Sequence, residues 1–149
     1  MNVTLRRAAL VMLSIIAVLV PLAAGAQDKA YTEGTVWSVS MIRVKPGMFD
    51  VYMNEVLPMR KKMNEEARKQ GLLLSSHILS GNAYGRDDFD LLILDEYKNW
   101  AAFDGMSAKY EAIMRNVIGP ESKQVEVMVK RNDVREIFGD KVMQEIVIK

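Results

Sequence analysis

Few side chains in this sequence are equipped for chemistry. His77 is the only histidine, and an imidazole suits proton transfer near neutral pH. No partner stands at a useful spacing from it, so it reads first as a hydrogen-bonded histidine in or near the core. A general base or a haem ligand is the functional alternative. Tyr97 is the second candidate proton acceptor. Ser75, Ser76 and the aspartates have no spacing that suggests a triad. The absence of cysteine removes thiol nucleophiles and thiolate metal sites. Asp87, Asp88 and Asp90 cluster beside Gly85, without the Asp-x-Asp-x-Asp-Gly…Glu order of a calcium loop. Met59 and Met63, one helical turn apart, offer thioethers to a cuprous ion, but adaptable core filler is the plainer reading. No metal and no cofactor are therefore expected.

A binding role has more to work with. Trp37, Tyr52, His77, Tyr97 and Trp100 are the residues to line a pocket, since aromatic walls with few polar groups are typical of small-molecule sites. Arg43, near a strand end, could meet a ligand carboxylate. Against these stand ordinary aromatic packing and an arginine that is solvated or paired with an acid.

The elements that must position these residues are organised around 35–71. Strand 35–44 is apolar at both parities, with Val36, Ile42 and Val44 on one face and Trp37, Val39 and Met41 on the other, so it expects cover on both faces. Lys45-Pro46-Gly47 breaks it. A helix over 48–70 follows, closed by Gly71, with Phe49, Tyr52, Met53, Val56, Leu57, Met63 and Ala67 on one stripe. Its far side carries the charges, Arg60 among them. Pro58 should kink it near Asn54.

Leu72–Leu79 reads as a second strand, 81–88 as a hairpin loop, and Phe89–Tyr97 as a third strand. Asn99 is a plausible N-cap for a helix to Ile118, ended by Gly119-Pro120. Gln124–Val129 alternates like a strand, yet Val127, Val134, Ile137 and Phe138 suit a helix over 121–138 closed by Gly139, which is preferred. Val142–Ile148 supplies the last strand. The order βαββα(α)β predicts an α+β, ferredoxin-like split arrangement: a four-stranded antiparallel sheet with helices on one face. The other sheet face is apolar too. A second copy related by a two-fold axis is the economical cover, so a homodimer is expected.

Residues 1–26 stand apart from this domain. Arg6 and Arg7 precede an apolar run, Ala8–Val20, and Ala24-Gly25-Ala26 fits a small-x-small cleavage pattern. The run is shorter than the ~20 residues of a membrane span, so cleavage between Ala26 and Gln27 and a periplasmic or secreted product are expected. Retention as an anchor is the alternative. The mature chain would have a polar, mobile segment at 27–34 and one domain over 35–149. Without Arg6 and Arg7 its 18 basic residues face 19 acidic ones, a net charge of −1. No basic field remains for nucleic acid or an anionic membrane.

Val44-Lys45-Pro46-Gly47 leading into a long helix, Glu96-Tyr97-Lys98-Asn99-Trp100 with Phe103, and Arg135-Glu136-Ile137-Phe138-Gly139 with Gln144-Glu145-Ile146 resemble the dimeric α+β barrel superfamily. The motifs are similar to those of small exported members, akin to antibiotic-biosynthesis-monooxygenase-like and NIPSNAP-like proteins. The resemblance implies the barrel fold over 35–149 and a dimer. It implies no single activity, because the superfamily hosts unrelated chemistries. Haem-degrading relatives carry a histidine on the second helix, which 99–118 lacks. The expected function is an exported homodimer binding a small apolar molecule. A cofactor-independent monooxygenase- or isomerase-like enzyme using His77 or Tyr97, and an envelope interaction module, are the alternatives.

Overall fold

Alternating side chains make the first strand the spine of the sheet. The computed structural model describes residues 29–149; residues 1–26 and the expected cleavage between Ala26 and Gln27 lie outside the described residues. Strand β1 spans Tyr31–Val44 and pairs on both edges, with β3 (Leu91–Tyr97) on one side and β4 (Arg135–Ile148) on the other. β2 (Ser75–Ser80) adds beyond β3, giving the order β2-β3-β1-β4, antiparallel throughout. This is the expected split βαβ layout.

β1 starts four residues before the expected Thr35. Tyr31, Thr32 and Glu33 pair with Ile148, Val147 and Ile146, so 31–34 is sheet rather than a mobile lead-in. A register shift between Glu33 and Val36 absorbs the extra residue, and there Thr35 donates from its backbone N–H to the Glu145 carboxylate at 3.4 Å. β2 and β3 are shorter at their N-termini than expected, starting at Ser75 and Leu91. The chain before β2 packs Leu73 into the core instead.

After Val44 the turn closes as the residues dictate: Gly47 takes φ 76°, and Met48 N–H reaches the Lys45 carbonyl at 2.9 Å. The helix that follows is not a kinked α-helix. A short α-turn, Phe49–Val51, runs into a π-turn, Tyr52–Val56, and only then into α1, Leu57–Lys69. In the π-turn Leu57 N–H bonds the Tyr52 carbonyl. The wider turn accommodates Pro58, which has no N–H for a regular ladder and whose ring crowds the carbonyl four residues back. Gly71, at φ 69°, then ends α1: Leu72 N–H bonds the Ala67 carbonyl at 2.9 Å and Gly71 N–H the Arg68 carbonyl at 3.0 Å.

Two further boundaries differ from expectation. The helix expected over 99–118 is a 3-10 turn, Trp100–Phe103, and a separate α2, Met106–Val117. Gly105 at φ 64° separates them, and Asn99 makes no side-chain cap. α3 runs Glu121–Val134, so Gln124–Val129 is helical, but it stops four residues before Phe138. Arg135 is already extended, and Arg135–Ile137 pairs with Ile42–Val44. Gly139 is therefore no helix stop. It lies opposite Met41, whose Cε would sit 3.2 Å from an added Cβ.

The helices cover one sheet face. There Ile42, Val44, Tyr52, Leu91, Ile93 and Val134 form one buried cluster, and Ala67, Leu73, Tyr97 and Ile113 form a second. Each large apolar side chain so buried is worth roughly 1.5–3 kcal/mol. The register puts Trp37, Val39, Met41, Leu92, Leu94, His77 and Leu79 on the opposite face. No helix among the described residues is long and apolar enough to cross a membrane.

Candidate functional site

Between the two buried clusters the helices do not meet the sheet. They leave a cavity of about 240 Å³. α1 contributes Met59, Arg60, Met63 and Asn64; α2 contributes Tyr110 and Met114; α3 contributes Gln124, Val127, Met128 and Arg131. The floor is Asp95, Tyr97 and Arg135 of the sheet, with Tyr52 of the π-turn at one end. Thioether and aliphatic walls around a few converging polar groups are what a small-molecule site requires.

The polar groups are arranged unevenly. Arg60 Nη2 donates to Asp95 at 2.5 Å, the Ser76 hydroxyl donates to the same carboxylate at 2.6 Å, and Asn64 Nδ2 donates to Ser76 at 2.9 Å. Arg135 Nη1 donates to the Tyr52 hydroxyl at 3.2 Å, and its guanidinium lies 5.9 Å from the Tyr52 ring centroid. Arg131, four residues before Arg135 in the chain and near the end of α3, makes no hydrogen bond or ion pair with its guanidinium among the described residues. The Nε atoms of Arg60, Arg131 and Arg135 are buried and unpartnered. Asp95 is the one carboxylate among the lining residues. Burial holds the Arg131 guanidinium below its ordinary pKa, and the like charge of Arg135 adds to this.

The six residues expected to form a pocket do not come together. Tyr52 and Tyr97 line the cavity. Trp37 and His77 lie on the far sheet face, their ring centroids 6.3 Å apart, with His77 exposed. Arg43 shares that face: it donates to the carbonyls of Gly85 and Arg86 and stacks 4.5 Å from the Phe138 ring centroid, so the 81–88 loop, not a ligand, holds it. Trp100 is half exposed at the margin, donating to Gln144 Oε1 at 2.7 Å. Missed were Arg60, Arg131, Arg135, Asp95 and Tyr110. A signal existed for Arg60: it stands three residues before Met63 and seven before Ala67, on the inner stripe.

His77 and Tyr97 thus occupy opposite faces of the sheet and cannot act on one substrate atom. Burial also pushes the Tyr97 hydroxyl far above the usual phenol range, with the Tyr110 hydroxyl beside it adding to the shift; Tyr110 is itself raised by burial. Tyr97 therefore keeps its proton and is a hydrogen-bond donor at neutral pH. The same shift makes stability pH-dependent. A phenol held protonated in the fold binds its proton more tightly folded than unfolded, so its contribution is intact below the ordinary value of 10.0 and is lost as pH rises above it. Urea unfolding at increasing alkaline pH should show stability falling by up to about 1.4 kcal/mol per pH unit per tyrosine, and Tyr97→Phe should flatten that slope.

Among the described residues no group of three histidine, aspartate or glutamate side chains could hold a metal ion. A wider, more open hollow of about 570 Å³ lies on the outer side of α1 against β2 and shares Arg60 and Asn64.

Strand order and connectivity decide the fold class. The fold is ferredoxin-like. No family model matches the chain, and no curated protein matches it. Among solved structures it is similar to a conserved protein from Methanosarcina mazei Go1 (TM-score 0.42, 15% identity, covering 75% of this chain and 91% of that one). It is also similar to a dimeric ferredoxin-like protein from an uncultured marine organism (0.47, 13%, 79% and 98%). A third is a NIPSNAP family protein of unknown function from Agrobacterium tumefaciens str. C58 (0.46, 13%, 78% and 90%).

Proposed function

We propose that this chain is an exported binding protein, in which two ferredoxin-like copies pair through the uncovered sheet face and each holds a small molecule between its helices and its sheet. The observation that carries the reading is the cavity itself, a methionine- and tyrosine-walled space with a few polar groups aimed into it. Pairing is supported by the uncovered face, where Trp37, Met41, Leu92 and Leu94 lie among the more exposed Leu79, Phe138 and Met143. Contiguous apolar surface of this kind marks an interaction site, and a two-fold axis lets one patch cover itself. Export is supported by Arg6-Arg7, the apolar run and Ala24-Gly25-Ala26.

Two measurements test this. Sedimentation at micromolar concentration should give a dimer, and Leu94→Arg should weaken it at least about tenfold, because the interface would bury an unpaired charge. A wild-type monomer would end the pairing reading. Native mass spectrometry of the exported protein should detect a bound small molecule that Met114→Trp, by filling the cavity, excludes. Identical ligand-free masses for both proteins would end the binding reading.

A further inference from the structure

We propose that the cavity ligand is an anionic amphiphile, whose carboxylate or phosphate head is held by Arg131 and Arg135 while its apolar body lies against Met59, Met63 and Met114. This rests on reading the cavity as a small-molecule site and adds the ligand's chemical class.

The argument is one of charge. Three guanidinium groups from α1, α3 and β4 converge on one space, and one carboxylate, Asp95, faces them. The lining therefore carries two positive charges in excess, three less one. Asp95 is committed to Arg60 and Ser76, and Arg135 has only a neutral phenol oxygen. Arg131 has no protein acceptor among the described residues. Arg131 is partly buried, and its Nε is shut off from solvent without an acceptor; a buried donor left unpaired is costly. The fork of an arginine matches the two oxygens of a carboxylate or phosphate, and two forks lining one cavity, Arg131 from the end of α3 and Arg135 from the start of β4, form a clamp for such a head. Nothing about packing alone requires them: methionine or leucine at 131 would fill the same volume without the charge. The size is set too. An apolar cavity of about 150 Å³ holds benzene, so about 240 Å³ accommodates a ring or short chain together with its charged head.

The test uses the purified full protein with three probes of one shape: phenylacetate, phenyl phosphate and the neutral 2-phenylethanol. Titration calorimetry should show at least one anion binding ten times or more tighter than the alcohol, with affinity falling as salt is raised. The tighter of the two anions identifies the head group. Arg131→Gln should lose tenfold or more for the anion and leave the alcohol unchanged. Arg131→Met supplies a readout that needs no ligand: it should raise the urea midpoint of the free protein and abolish stabilisation by the anion. A lowered midpoint would show the guanidinium to be a structural group and overturn the proposal. Alcohol and anions binding equally would overturn the charge assignment and leave the binding reading standing. No binding of any probe, together with a lowered Arg131→Met midpoint, would remove both.

Discussion

Tyr52→Ala is expected to cost about 3–5 kcal/mol of folding stability, the range for truncating a fully buried large aromatic side chain. Tyr52 has no exposed surface and is the largest of the fully buried side chains. It packs with Ile42, Val44, Leu91, Ile93 and Val134, joining the π-turn to two strands, β1 and β3, and to the end of α3. Its removal also takes from Arg135 the one oxygen it donates to, leaving that guanidinium without an acceptor. The void would open into the adjacent cavity, which Tyr52 lines, so neighbouring side chains cannot close over it cheaply. Against a usual total of about 5–15 kcal/mol, this is enough to populate the unfolded state. Tyr52→Phe keeps the ring and loses the acceptor, and should cost only about 1 kcal/mol. Urea midpoints measured at one fixed protein concentration, since pairing couples to folding, distinguish the two. Equal losses would mean that the hydroxyl, not the ring, secures the turn.

Much of the fold was legible because its signals are local. The two-faced alternation of β1, the break at Lys45-Pro46-Gly47 and the stop at Gly71 each follow from what those residues can do. The α3–β4 boundary was not legible, because Val134-Arg135 contains no breaker and Ile137 and Phe138 fit either period. Their place in the sheet is decided by pairing with Met41–Val44, more than ninety residues earlier.

The site was hidden for a related reason. Its aromatic half, Tyr52 and Tyr97, sits on apolar stripes that periodicity reveals. Its charged half does not, because a charged residue on an amphipathic helix is by default assigned to water. The π-turn at Tyr52–Val56 shifts the phase of the segment ahead of α1, while Arg60, eleven residues or about three turns after Phe49, keeps the spacing of the inner stripe and is assigned to water by its charge alone. Phe49 and Met53 are exposed as a result, while Ala67 is fully buried. Arg131 and Arg135 come from a helix and a strand, and Arg60 from a helix more than seventy residues earlier. Only the folded chain brings them to one space.

Asp95→Asn is expected to move stability and anion affinity in opposite directions. The amide keeps the shape of the side chain and removes the charge that faces Arg60. Deleting one partner of a fully buried pair costs about 3–5 kcal/mol. Here the two side chains keep 28% and 16% of their exposure, so water relieves part of the loss and about 2–3 kcal/mol is expected. The Ser76 hydroxyl, which donates to Asp95 and accepts from Asn64, can still donate to an amide oxygen, so the polar chain survives and the change reads as charge. With Asp95 neutral, the cavity lining carries three cations and no anion. An anionic head then replaces the lost carboxylate without competing with it, and binding should tighten about tenfold, or about 1.4 kcal/mol. Ligand at a hundred times its dissociation constant adds about 2.7 kcal/mol to the folded state, so saturating phenylacetate or phenyl phosphate should restore most of what the substitution removes. Unfolding curves of wild type and Asp95→Asn, each with and without the anion, measure both effects at once. Unchanged stability would place the Arg60–Asp95 pair among surface ion pairs of little energetic consequence, and weakened anion binding would make Asp95 the residue that holds Arg60 in position for the ligand.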